Sequence, residues 1–249
     1  MPTQPHHVIF VVGAPGAGKT TALRLLALPS DYQTRDTEIR WTLTKNMAFI
    51  GHYENKILDG GDRVARHANL LCLEYWRRYI LMDHRVRVTF LDGEMYLWSR
   101  ILESLRGDLK FVKDDDEQYK PGGRYHKTLQ QILNRDMDRF PKIAGVFGEV
   151  VPEVHTHCIN LHISPEKSLE RRRLRESSAE DGATINSDHH MKVAASKQRN
   201  FAAKFKEDSE DAPFFMDSSS TSKYLEIDAG DKSPLEISSM IQDYVQCVV

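Results

Sequence analysis

Eight residues near the start of the chain, Gly13-Ala14-Pro15-Gly16-Ala17-Gly18-Lys19-Thr20, carry its densest chemistry. Their spacing is G-x-x-x-x-G-K-[ST], a loop whose successive backbone N–H groups wrap a chain of phosphates. Lys19 brings a point charge to the β- and γ-phosphates, and the Thr20 hydroxyl, followed by Thr21, brings a ligand for Mg²⁺. A helix that starts near Gly18 turns its positive end toward the same anion. The pattern predicts a nucleoside triphosphate site.

Two more groups suit such a site. "VTFLD" (Val88–Asp92) is an apolar run ending in an acid, with Glu94 two residues on. Asp92 and Glu94 are the candidates to hold the metal or to accept a hydroxyl proton, and their division of labour stays open. "LERRRLRESS" sets Arg171, Arg172, Arg173 and Arg175 on one helix, with Arg171 and Arg175 sharing a face. A solvated surface helix is the plain reading of such a run. Its place after a strand favours arginines that close over a triphosphate and neutralise developing charge. Lys197, Arg199 and Lys204 lie beyond the intervening loop, so residues 171–200 read as a lid.

These groups need a scaffold. "HVIFVV" (His7–Val12) reads as a buried strand, and Lys19–Leu28 as a helix with Ala22, Leu25, Leu26 and Leu28 on its apolar face. Residues 31–43 suggest a short strand and then a helix from Asp36. Residues 46–63 suggest a hairpin pairing Met47–Ile50 with Ile57–Leu58. Further expected elements are helices over 65–82 and 96–106, a strand over 156–163, helices over 165–175 and 190–206, a strand over 223–230 and a helix over 234–248. A charged stretch over 107–141 interrupts the alternation. Strands alternating with helices predict an α/β fold, a mostly parallel sheet with helices on both faces, in one domain spanning 1–249. The ligand site belongs at the carboxyl ends of its strands.

Taken together, the phosphate loop, the acid after a core strand, "ISPEKSLERRRLR" and "YLEIDAGDKSPLEISSMI" resemble the P-loop nucleoside and nucleotide kinases, thymidylate-kinase-like ones in particular. The resemblance implies ATP as donor, lid arginines on its phosphates, and residues 228–230 near the adenine. A narrower likeness rests on "IGHYENKILDGGDRVARH", "FLDGEMY" and "SKQRNFAAKF". These are similar to bacteriophage kinases that phosphorylate 5-hydroxymethyl-deoxyuridine within DNA during thymine hypermodification. The likeness implies a Gly-Gly-x-Asp-Arg element at Gly60–Arg63 and an acid-Gly-acid element at Asp92–Glu94, with Asp62 and Arg63 near the acceptor. Asp36 resembles the acid that meets the acceptor hydroxyl in shikimate kinase, and an N-cap is its plain alternative. A free nucleoside, nucleotide or other small hydroxylated metabolite is the alternative acceptor.

A nucleotide-dependent switch is the rival from another class. The guanine-reading Asn-Lys-x-Asp is missing, because Asn55-Lys56 is followed by Ile57 and Leu58. No segment is long enough for the separate helical lid domain of a motor ATPase. The 249 residues carry a net charge of −2, so contact with DNA would need a local basic patch. Arg77, Arg78, Arg85 and Arg87 form one candidate patch, and Lys120, Arg124 and Lys127 another. Cys72, Cys158 and Cys247 are spaced as free thiols of a reducing compartment, and no apolar run reaches membrane-spanning length. A soluble cytoplasmic protein is expected, in the host cytoplasm if the source is viral, and the sequence sets no oligomeric state. The His6–His7 and His189–His190 pairs are expected at the surface. Tyr75, Trp76 and Tyr79 are expected in the core, and Trp41 or Tyr53 could stack on a base.

Overall fold

The structure, a computed structural model, describes residues 4–34, 40–53, 60, 61, 64, 72, 75, 76, 80, 81, 83–92, 153–177, 188–210 and 224–249. Among them are seven strands: β1 (His6–Gly13), β2 (Tyr32–Gln33), β3 (Trp41–Leu43), β4 (Met47–Ile50), β5 (Val88–Leu91), β6 (Val154–His162) and β7 (Tyr224–Asp228). The helices are α1 (Lys19–Ala27), α2 (Pro165–Ser177), α3 (Asp188–Glu210) and α4 (Pro234–Val248). The strands form one sheet in the order β2-β3-β4-β5-β1-β6-β7. Five neighbours, β4 through β7 in that order, run parallel, and β2 and β3 add an antiparallel edge.

The continuous apolar run of β1 follows from its place in the middle of this sheet. Val8, Phe10 and Val12 face one core, with Trp41, Trp76, Ala202 and Phe205. Ile9 and Val11 face the other, with Ala22, Leu23, Ile237 and Ile241. Alternate side chains thus feed opposite layers, α1 and α4 on one face and α3 with the helical residues Cys72, Tyr75 and Trp76 on the other. Each large apolar side chain so buried contributes about 1.5–3 kcal/mol. Tyr75 and Trp76 are core residues, as their spacing suggests.

Local signals set the helix starts. Ser233 accepts from the Glu236 amide at 3.2 Å, and the Glu236 carboxylate accepts from the Ser233 amide at 2.8 Å, a reciprocal cap in front of Pro234. The Ser233 amide, and after it the Ser233 hydroxyl, donate to the Glu236 carboxylate and hold it below its ordinary range. The α2 start has Pro165 in its first turn, and Ser164 accepts from the Lys167 amide.

Four expectations are corrected. The helix expected from Asp36 gives way at Trp41–Leu43 to β3, whose aromatic and β-branched residues pair with β4. The hairpin partner of β4 is therefore β3, through the turn at Thr44–Asn46, and β4 lies parallel to β5 on its other side. Of the expected return strand, 57–58 lie outside the described residues, and an antiparallel bridge joins His52 to Gly60. The buried face of α1 holds Ala22, Leu23 and Ala27, while Leu25 and Leu28 stay exposed, because the sheet and α4 set its rotation. His6 and His7 are buried, 2% and 3% exposed, since β1 is a central strand from its first residue. The stretch 107–141 and the helix expected over 96–106 lie outside the described residues.

Candidate functional site

From β1 the chain runs out to the edge at β2, returns through β3 and β4 to β5 beside β1, and then crosses to β6 and β7, so the end of β1 is the point where strand order changes direction. Residues 13–20 leave the sheet there. Gly18, with φ 91°, is the N-cap of α1, so the helix begins at Lys19. The helix axis therefore points its free amides into the loop. The Lys19 ammonium donates to the Gly13 carbonyl at 2.7 Å and to the Ala14 carbonyl at 3.3 Å.

Asp92 follows the last residue of β5, the strand beside β1, and is 3% exposed. Its Oδ2 accepts from the Thr20 hydroxyl at 3.0 Å. Its Oδ1 accepts from the Gly61 amide at 3.0 Å and from the Tyr53 hydroxyl at 3.3 Å. A buried carboxylate needs this many donors to offset lost hydration. The Gly60–Gly61 turn is folded directly onto it: a Cβ at Gly61 would stand 1.9 Å from the Asp92 carbonyl oxygen. A Cβ at Gly60 would stand 3.1 Å from both carboxylate oxygens and from Thr20 Cγ2. The paired glycines let the backbone approach the acid.

The arginine helix α2 packs on the outer side of the loop. The Ser168 hydroxyl donates to the Pro15 carbonyl at 2.6 Å. Gly16 has φ 86°, and a Cβ there would meet the Ser168 carbonyl at 2.9 Å and Arg172 Cγ at 3.5 Å. Arg171 Nη2 reaches the carbonyls of Ala229, Gly230 and Lys232 at 2.9, 3.0 and 3.3 Å. Its Nη1 lies 3.5 Å from the Gly16 carbonyl. Arg171 therefore ties the loop to the β7–α4 connection, next to the Lys167–Asp231 ion pair that holds the Asp231 carboxyl low.

Of the residues singled out in the sequence, Gly13 through Thr21, Asp92, Arg171 and Arg172 gather at this end of the sheet. Glu94, Asp36, Asp62, Arg63 and the side chain of Arg175 lie outside the described residues, as do residues 178–187 of the expected lid. Lys197, Arg199 and Lys204 lie on the exposed side of α3. Trp41 is no base-stacking surface: it is fully buried, and its indole donates to the Cys72 carbonyl at 3.1 Å. Tyr53 is equally buried, its hydroxyl spent on Asp92. Of the first candidate basic patch, Arg77 and Arg78 lie outside the described residues, and Arg85 and Arg87 do not adjoin Asp92. Arg87 precedes β5 whereas Asp92 follows it, which places the two at opposite ends of the strand, roughly 16 Å apart at the usual rise. Arg85 is engaged by Asp83 at 2.7 Å. Burial works to raise the Asp83 carboxyl, but the bonds from Arg85 outweigh it and leave it lowered.

Sequence reading missed three contacts: Ser168 on Pro15, the Gly61 amide on Asp92, and the Gln198 amide on Gly13. Only the last had a visible signal, a lone amide on the helix face that also carries Ala202 and Phe205. Among the described residues no group of three or more His, Cys, Asp or Glu side chains is gathered as a metal cage. No helix there is long and apolar enough to cross a membrane.

Comparison with protein families finds no model that matches the chain, and comparison with curated proteins finds no match.

Proposed function

We propose that the protein is an ATP-dependent phosphotransferase that moves the γ-phosphoryl group to an alcohol hydroxyl. The observation that carries the reading is the 3.0 Å bond from Thr20 to Asp92, which joins the phosphate loop of β1 to the acid of the neighbouring strand. One hydroxyl and one carboxylate suit Mg²⁺, which keeps several waters and takes its other ligands from phosphate oxygens. When bound, the ion would offset the charge of the phosphates. Lys19 would leave the Gly13 and Ala14 carbonyls for the β- and γ-phosphates. The loop amides would hold the triphosphate in line, and Asp92 would orient Thr20 and the metal's water shell. Arg172, whose Cγ lies beside Gly16, would add positive charge at the loop, and Arg175 and Glu94 complete the proposed set.

For the acceptor we favour the hydroxymethyl group of 5-hydroxymethyl-deoxyuridine in DNA. Support comes from Gly60 and Gly61, which lie against Asp92, so that Asp62 and Arg63 follow directly from the site in sequence. A base inside a duplex must be exposed for such chemistry, which calls for an open cleft.

Radiolabelled ATP offered with hydroxymethyluridine DNA, thymine DNA, and the free nucleoside and monophosphate separates the readings. Label in the modified polymer alone is expected. Label only in a free nucleoside or monophosphate reassigns the protein to the nucleotide pool, and hydrolysis without transfer to any acceptor overturns the phosphotransferase.

A further inference from the structure

Among the described residues, the edge of β1 that faces β5 has no strand partner where the phosphate loop begins. The His7 amide donates to the Arg87 carbonyl at 2.8 Å, so odd-numbered amides of β1 face β5. The β1–β5 ladder stops at Phe10–Leu91, whereas β1–β6 continues to Gly13–Leu161. The Gly13 amide therefore points past the end of β5. A side chain meets it there: Gln198 Oε1, from α3, accepts from the Gly13 amide at 2.8 Å. Because the partner is a donor, the bond also fixes which atom of the carboxamide is the oxygen.

The amide is held by a rigid element. Gln198 is 8% exposed and lies one turn before Phe201 and Ala202 on the same helix face. Phe201 and Phe205 pack their rings on Phe10 of β1, with centroids 5.5 and 6.2 Å away. On the other side of the Gly13 Cα, its carbonyl accepts from Lys19 at 2.7 Å. Both polar groups of Gly13 are thus occupied by side chains, one from α3 and one from the loop's own lysine.

We infer that Gln198 is a positioning residue of the nucleotide site: it fixes the Val12–Gly13 peptide and so sets where the loop amides and Lys19 stand before nucleotide arrives. The role rests on the reading of residues 13–20 as a phosphate loop. When Lys19 leaves Gly13 for a phosphate, Gln198 keeps the start of the loop in place. The loop then stays organised for the anion without ordering cost at binding.

Hydrogen exchange and calorimetry test this on the full chain. The Gly13 amide of the unliganded wild type is expected to exchange slowly, Gln198→Glu to stay slow because it keeps an acceptor, and Gln198→Met to exchange fast. With Mg²⁺ present, Gln198→Met is expected to bind ATP about tenfold more weakly, the worth of roughly one hydrogen bond. A Gly13 amide that exchanges freely in the unliganded wild type overturns the inference without any variant. Gln198→Met that binds ATP like the wild type, whatever its melting temperature, also overturns it. A wild type that binds no ATP overturns the nucleotide reading, and this role with it.

Discussion

Asp92 is a carboxylate taken out of water and given three donors in return, from Thr20, Gly61 and Tyr53. Asparagine keeps the shape but loses the charge and presents an NH₂ where one oxygen stood, so either a hydroxyl partner must turn to accept from it or the Gly61 amide loses its acceptor. Asp92→Asn is therefore expected to cost about 1–3 kcal/mol of stability, read by urea unfolding. It should also weaken the Mg²⁺ dependence of ATP binding. Lys19→Ala is a different kind of change. Its ammonium rests on two carbonyls of a half-exposed loop, so the fold should survive with an unchanged circular dichroism spectrum while label transfer from ATP is abolished.

Among the elements, the Gly60–Gly61 turn and α2 carry the sharpest consequences. A Cβ at Gly61 would need to move the Asp92 backbone, because 1.9 Å to a carbonyl oxygen leaves no flexible atom to yield. Gly61→Ala should lower stability by at least about 2 kcal/mol in thermal unfolding and displace the acid from Thr20. Arg171 serves four carbonyls from one guanidinium, bridging the loop at residues 13–20 and the β7–α4 connection. Arg171→Ala should cost about 2 kcal/mol by the same measurement, and Arg171→Lys should recover only part, since an ammonium lacks the planar fork. Full recovery by lysine would show that charge alone matters there.

Over the whole molecule, the site and a histidine cluster occupy opposite ends of β1. His6 meets the Thr89 hydroxyl at 2.8 Å and the Val86 carbonyl at 3.2 Å. His7 meets His157 at 3.0 Å, which in turn meets the Tyr244 hydroxyl at 3.0 Å. Burial pushes His6 down from 6.5 to about 4, with a partly opposing bond to the Val86 carbonyl and smaller repulsion from His7 and Arg87. Burial, then His155 and Arg87, push His7 down to about 4 as well. Both are neutral in the folded chain and titrate normally when unfolded. Their contribution is present above about pH 6.5 and is lost as pH falls toward about 4. For His6 the loss between about pH 7 and pH 5 is about 2 kcal/mol, read as a falling urea midpoint. His6→Gln should flatten that slope.

The sequence by itself determined what is written in adjacent residues. The loop at 13–20, the strand before it, the Pro165 start of α2 and the whole of α4 were legible because caps, prolines and apolar periods act over a few residues. Tertiary structure alone decided what meets across the chain. The Thr20–Asp92 bond spans 72 positions and the Gly13–Gln198 bond 185. The burial of His6 and His7 follows from the central rank of β1, and the exchange of an expected helix for β3 follows from the open edge of β4. No local pattern encodes such partners, because strand order and helix rotation are set by how two cores fill on either side of one sheet.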